Sequence, residues 1–594
     1  MTRDRGYSAV EDYAAIGDGR TVALIADDGT IDWLPLPNLD SPPPFAALLD
    51  AEHGGSFQLR PVEDFTSKRE FVSGTNVLAT IHRTASGTVR VTDSLNTGVA
   101  GRLPWVELAR RIDGIDGAVE MTWCVAPGTM LGSASPWAYD TQHGTVLRAD
   151  GLTMGVRTLE ADDVTVENQS ICGTFTTAAG SRHLVGLVGT EHEPLHLPDP
   201  RNVDDGVDRT VRNWRAWSEE FDYDGPWSEH VARSALALKL LLHSPSGAIA
   251  AAATTSLPEN LDGGKNWDYR YAWVRDTAYT IRAMIRFGLR EEVHAAVAWL
   301  LKVIRCNDPL VNVFYTLGGE LPGGTEQPDV PGWRGIGPVV NGNAAADQLQ
   351  LGIFGDLFSI VRLYVDAGNV LDADTGRLLA TIADQTCDSW QRRDAGIWEL
   401  EEEQHYTSST LGCWQALDCA VHLADSGQIP GVADRWRAEK DRIRAYVEDE
   451  CWSDERQTYT SYPGSTGLDA SVLLAAEMNF DRGERMSSTI DALGEELGSG
   501  PLLYRYSGAQ KEEATFVACA FWRVSALSCV GRDSEATALM DQLVEMSNDV
   551  GLYSEMIDAS DGSFLGNFPQ GLSHLALVNA ALTIGRSHDA TAER

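Results

Sequence analysis

The sequence predicts a multidomain chain, with an N-terminal antiparallel β-sandwich followed by an (α/α)6 barrel. Three observations carry that expectation. Apolar residues alternate at a period of two through the first third of the chain. After Pro226 the period becomes 3.6. About twelve helical segments then follow one another, enough for six helical hairpins.

The β elements come first. In "TVALIADDGTIDWLPLP" (21–37), two short apolar runs flank an Asp28-Gly29 turn. In "VLATIHRTASGTVRVTDSL" (77–95), two β-branched runs flank Ser86-Gly87. "AVEMTWCVAP" (118–127) puts Val119, Met121, Trp123 and Val125 on one face. Short strands with Gly-bearing turns at this spacing suggest a sandwich over residues 1–203. A polar, Trp-bearing stretch at 204–226 reads as a connecting helix region.

Residues 227–594 read as the barrel. "SEHVARSALALKLLLH" (228–243) is apolar at helical spacing. Further helical segments are expected at 271–287, 290–304, 343–366, 371–391, 406–426, 432–451, 467–478, 482–497, 513–530, 533–546 and 569–585. Periodicity alone does not separate a closed ring from an open array.

Composition narrows the function classes. The 594 residues are 43% hydrophobic and 22% charged, ordinary for a chain with a large core. Lys+Arg total 47 against Asp+Glu 86, a net charge of −39. Such a surface repels phosphate backbones and anionic lipid, which argues against nucleic-acid and membrane partners. Nine cysteines without CxxC spacing argue against a disulfide framework and a zinc site, and for free thiols in a reducing compartment. "MTRDRGYSAVEDY" has no apolar h-region, and no run reaches the roughly 18 apolar residues of a bilayer span, so the cytoplasm is expected.

The unusual residues fall in loops and at helix starts. "NWDYRYAWVRD" (266–276) mixes rings with opposite charges. Pyranose C–H faces pack on rings, and hydroxyl pairs need charged, bidentate partners. Arg275 and Asp276 are therefore candidate sugar ligands; a structural ion pair under a Trp-rich loop is the competing reading. In "GIWELEEEQHYTSS" (396–409), Glu401, Glu402 and Glu403 read as solvated surface. Glu399 follows Ile397-Trp398 directly. A carboxyl held against rings resists ionisation and can stay protonated as a general acid. Glu555, in a Gly-rich loop between Tyr553 and Met556, fits a general base. A Gly/Pro-rich loop (323–350) carries Trp333, which reads as exposed and pocket-forming, and Arg505 lies between Tyr504 and Tyr506. Two distant carboxylates on one rim suit acetal hydrolysis, in which one acid protonates the leaving oxygen and one base activates water.

These segments resemble glycoside hydrolase family 15, the glucoamylase, glucodextranase and inverting trehalase family. The likeness rests on "IGDGRTVALIADDGTIDWLPLPNLDSPPPFAALLD", "AATTSLPENLDGGKNWDYRYAWVRDTAY", "GIWE" and "GLYSEMIDASDGSFLGNFPQGLSHLALVNAA". It implies Glu399 as general acid and Glu555 as general base. It implies Arg275, Asp276 and Arg505 on the sugar hydroxyls, Tyr269 near the nucleophilic water, and Trp273 and Trp398 as pocket walls. Two departures, Val340 where Arg is common and Thr410 in place of Lys, are expected where the leaving sugar binds.

The resulting expectation is an exo-acting, inverting α-glucoside hydrolase, needing no cofactor and acting on a small carbohydrate such as an oligoglucoside or isomaltose-type substrate. A trehalase of the same family is the alternative, and an inverting phosphorylase is the alternative from another class. Assembly into a homo-oligomer stays open.

Overall fold

The computed structural model describes residues 3–592 apart from 162, 222 and 308–310. Two antiparallel sheets form its first part. One has seven strands in the order Tyr13–Gly17, Val22–Ala26, Ile31–Trp33, Gly55–Pro61, Glu120–Pro127, Ile171–Thr176 and Asp163–Val166. The other has eight, in the order Trp137–Thr141, Gly144–Ala149, Leu152–Leu159, Arg182–Glu191, Val106–Gly117, Gly87–Leu95, Leu78–Thr84 and Phe65–Phe71. The alternation in 118–127 holds, because Met121, Trp123 and Val125 are buried while Thr122 and Cys124 are only half-buried. The Asp28-Gly29 turn joins antiparallel neighbours, and Gly29 has a φ of 85°.

Cysteine supplies one correction. Cys124 and Cys172 are directly opposed on adjacent strands and form a disulfide. The other seven are free thiols, five of them buried.

The connecting helix α1 (Pro200–Glu219) begins four residues before the expected 204 and is capped by Asp199, whose side chain accepts from Arg201 N–H. Twelve helical segments follow: α2 (Ser228–Leu241), α3 (Val274–Arg286), α4 (Arg290–Cys306), α5 (Ile353–Asp366), α6 (Ala373–Ser389), α7 (Thr407–Asp425), α8 (Ala433–Glu450), α9 (Leu474–Glu477, entered through a 3-10 turn at Ala470–Leu473), α10 (Glu484–Glu496), α11 (Val517–Cys529), α12 (Asp533–Val544) and α13 (Gly571–Ala592). The expected helix at 343–366 is broken. Asn343 caps a short 3-10 turn at Ala344–Asp347, and α5 starts only after Gly352.

The helices close into a ring. α3 packs on α5, α5 on α7, α7 on the turn leading into α9, α9 on α11, α11 on α13, and α13 back on α3. α8 backs α7, α12 backs α11, and α2 backs α13. That return contact is what periodicity could not supply. Sheets and ring meet at hydrogen bonds such as Trp33 Nε1–H to Ala253 O (2.9 Å) and Trp333 Nε1–H to Ser8 O (2.9 Å). None of the described helices is long and apolar enough to cross a membrane.

Candidate active site

A cavity of about 670 Å³ opens among the loops at one end of the ring, in the size range of small-ligand sites. Glu399, Glu555, Tyr269, Trp273, Arg275, Asp276, Trp398 and Arg505 all line it. Segments as far apart in sequence as 269 and 555 converge there because their loops share one end of the barrel.

The stretch 266–276 contributes most. Asn266–Asp268 pairs with Thr255–Pro258, Ala272–Trp273 pairs with Phe314–Tyr315, and α3 starts at Val274 rather than near Tyr271. Trp273 is 1% exposed and stacks on Phe314 at 4.4 Å, with Tyr269 edge-on at 5.3 Å. Its indole N–H donates to Glu399 Oε1 at 2.8 Å. Asp276 stands in the first turn of α3, where the helix dipole favours an anion. Arg275 Nε–H donates to Asp276 Oδ2 at 3.1 Å, and another guanidinium N–H donates to Ile397 O at 2.8 Å. Asp276 Oδ1 is buried with no hydrogen-bond partner among the described residues, in a side chain that lines the cavity.

The two Arg–Asp pairs of this stretch are placed differently. Arg270 holds Asp268 through two hydrogen bonds of 2.7–2.8 Å, and both lie outside the cavity lining. Arg275–Asp276 is itself an ion pair, as its structural reading expects, but unlike Asp268–Arg270 it lines the cavity, which the sugar-ligand reading requires.

Glu399 occupies the left-handed backbone region at φ 59°. A non-glycine residue there costs on the order of 1–3 kcal/mol and persists only when its surroundings dictate it. Here Gln348 donates to the Glu399 carbonyl at 3.1 Å, Leu400 N–H to Ala395 O at 3.0 Å, and Trp273 holds the carboxyl. Burial raises the Glu399 pKa; Arg275 and the Trp273 hydrogen bond pull it back, and Asp276 pushes it up. Glu401, Glu402 and Glu403 are exposed, as expected for a solvated run, with the first two at the cavity mouth.

Glu555 is 1% exposed. Burial lifts its carboxyl well above the ordinary glutamate value, and the Glu259 charge lifts it further. Arg505, the Asn567 N–H and the Tyr269 hydroxyl act the other way. Asn567 N–H donates to Oε2 at 3.2 Å. Gly566 closes the loop behind it at φ 69°, and a Cβ there would stand 2.5 Å from Glu555 Oε2.

Several expectations change. Trp333 does not line the cavity. It is 2% exposed, and the N-terminal segment accepts its indole proton. A loop Trp read as exposed is in fact a buried anchor. Val340 and Thr410 are buried and also outside the lining, so these two departures do not face the cavity. Sequence reasoning missed Asp469, which accepts from Trp398 Nε1–H at 2.8 Å, and Glu259, which Arg505 contacts at 2.8 Å. "LPEN" reads as an ordinary turn entry, and nothing local marks its glutamate.

Comparison with known proteins agrees with this architecture. Residues 225–582 match the model for glycosyl hydrolases family 15, and residues 5–134 match the trehalase-like N-terminal domain. The trehalase of Mycobacterium tuberculosis is 32% identical over 628 residues, covering 98% of this chain and 90% of the relative. The trehalase of Thermoplasma acidophilum is 31% identical over 577 residues, covering 94% and 97%. A bacterial glucoamylase solved with acarbose superposes with a TM-score of 0.71 at 14% identity, covering 98% and 95% of the two chains, which extends the fold likeness to both parts. The chain belongs to glycosyl hydrolase family 15 and is a glycoside hydrolase.

Proposed function

We propose that this protein hydrolyses trehalose with inversion at the attacked carbon. One observation carries the choice of substrate: the trehalases it resembles match nearly its whole length, sheets included. That support favours trehalose over the oligoglucoside or isomaltose-type substrate expected from sequence.

Arg275, Asp276 and Arg505 hold hydroxyls of one glucosyl unit, and Trp273 and Trp398 pack its faces. Glu399 gives its proton to the bridging oxygen as the C1–O bond breaks. Water attacks C1 from the opposite face, and Glu555 takes a proton from that water. This geometry requires the two carboxyls to stand roughly 6.5–9.5 Å apart. One product is β-glucose and the other keeps its α configuration.

The test is NMR of the first-formed sugars from trehalose, maltose, isomaltose, kojibiose and nigerose in phosphate-free buffer. Trehalose should be cleaved fastest, giving β- and α-glucose in equal initial amounts. Glu399→Gln and Glu555→Gln should each lose turnover while melting as the wild type does. A preference for maltose or isomaltose overturns the substrate, formation of glucose 1-phosphate when phosphate is supplied overturns hydrolysis, and near-normal kcat in either variant overturns the roles.

A further inference from the structure

Beside Arg505 and Lys265 in the cavity lining lie two buried carboxylates, Glu259 and Glu513, that the chemistry above does not use. Glu259 is 0% exposed. Its Oε2 accepts from Arg505 at 2.8 Å, while its Oε1 has no hydrogen-bond partner among the described residues. Arg505 is gripped on its other side by Glu513, through Nε–H to Oε1 at 2.5 Å and a second bond to Oε2. Lys265 reaches Glu513 at 2.7 Å and the exposed Glu512 at 3.0 Å.

The backbone ties this group to the loop of Glu555. Gly566 N–H donates to Pro258 O at 2.8 Å, one residue before Glu259, and Ala514 N–H, one residue after Glu513, donates to Glu259 O at 3.0 Å. Counted as charges, Glu259, Glu513 and the exposed Glu512 face two cations, Arg505 and Lys265. A negative charge on Glu555 then has no cation of its own. The groups acting on Glu555 are Glu259, Arg505 and the Tyr269 hydroxyl, and Tyr269 also senses Glu399.

We propose that Glu259 is a positioning residue that sets the ionisation of Glu555: it engages the Arg505 guanidinium and, when ionised, places a negative charge beside the loop that carries the base. This rests on the reading of Glu555 as general base. Two buried carboxylates near one guanidinium cannot both ionise freely, and the one in direct contact keeps its charge more readily. Glu555 therefore holds its proton to higher pH. That makes it a stronger base once ionised and lifts the acid limb of the rate profile. Burial and the Glu259 charge both act in this direction.

The experiment is the pH dependence of kcat/KM on trehalose for the wild type, Glu259→Gln, Glu259→Asp and Lys265→Met, each with its melting temperature. Removing the carboxylate takes one negative charge out of the group and frees Arg505 on that side, so the acid limb of Glu259→Gln should move down by about one unit or more. One unit below the wild-type midpoint, its activity relative to its own plateau should then be roughly five-fold that of the wild type. Glu259→Asp, which keeps the charge, should keep the wild-type limb. Lys265→Met, which removes a half-exposed cation, should move the limb up and serves as the test if Glu259→Gln does not fold. A limb that stays in place in both charge-altering variants, or that moves alike in the Gln and Asp variants, overturns the proposal. Glu555→Gln separates the two readings. If it retains turnover, the base assignment fails; if it is inactive while the limb stays put, only the role of Glu259 fails.

Discussion

Gly566→Ala is the sharpest probe of how tightly the fold holds Glu555. The new Cβ would lie 2.5 Å from Glu555 Oε2 and 2.7 Å from its Cβ. The first distance falls about 0.9 Å short of ordinary 3.4 Å contact. Rotating the carboxylate relieves only the first clash, because the Glu555 Cβ moves only with its backbone. That backbone is pinned by Glu555 N–H to Asn567 O at 3.1 Å, and Gly566 by Pro258. Something must shift by a substantial fraction of an ångström, and a misplacement of about 1 Å at a catalytic group costs on the order of 10²-fold. The φ of 69° adds about 1–2 kcal/mol of backbone strain for alanine. Gly562→Ala isolates that strain. Gly562 belongs to the same loop at φ 83°, and its Cβ would meet nothing within 4 Å. Both variants should melt lower than the wild type, but only Gly566→Ala should lose about 10²-fold in kcat on trehalose. If the two folded variants turn over at the same rate, Glu555 is not held where the reasoning requires.

Three further outcomes are expected. Trp273→Phe removes the N–H that favours ionised Glu399, so the acid should ionise later and the alkaline limb of kcat/KM should move up, with reduced kcat. Burial pushes Asp356 up to about 7 against the opposing Arg275 charge, so its contribution to stability is complete below about pH 4 and is lost as pH rises through about 7. Relative to the wild type, Asp356→Asn should gain stability between pH 4.5 and 8, by up to about 4 kcal/mol at 1.36 kcal/mol per unit, as read by denaturant unfolding. Asp268→Asn should cost about 3 kcal/mol or more of stability with KM little changed, whereas Asp276→Asn should cost kcat/KM on trehalose with a smaller change in melting; comparable kinetic losses in both would merge the two pairs into one site.

Much of the architecture is legible in sequence because it rests on local periodicity. The change at Pro226 and the positions of the helices follow from which residues must face a core. Glu399 stands out because it adjoins Ile397-Trp398 in the chain; burial does raise its pKa, but the ring on its carboxyl is Trp273, 126 positions away. What is lost depends on distant partners. Cys124 and Cys172 are 48 residues apart and meet only because of strand order. Trp333 is anchored by Ser8, 325 positions away. Glu259 meets its partner, Arg505, 246 positions on. Ring closure likewise depends on α13 returning to α3, which no window of sequence contains.

The stretch 266–276 shows how one segment can carry both rings and opposite charges. While it is extended, side chains alternate: Trp267 and Tyr269 line the cavity, and Asp268 and Arg270 are buried on the far side, where each neutralises the other. At Trp273 the chain turns into α3, and the spacing changes with it. Trp273 and Asp276, three apart, now share a face with Arg275 beside them, and all three reach the cavity. The change of period thus sorts two similar Arg–Asp pairs into opposite roles. The pair whose acceptors are all engaged stiffens the loop. The pair that leaves Asp276 Oδ1 without a partner among the described residues bears an unfavourable burial, which under the proposed function a sugar hydroxyl relieves. On that proposal an analogue lacking the hydroxyl leaves the acceptor stranded and should bind more weakly, so the local cost that weakens the empty site would supply selectivity.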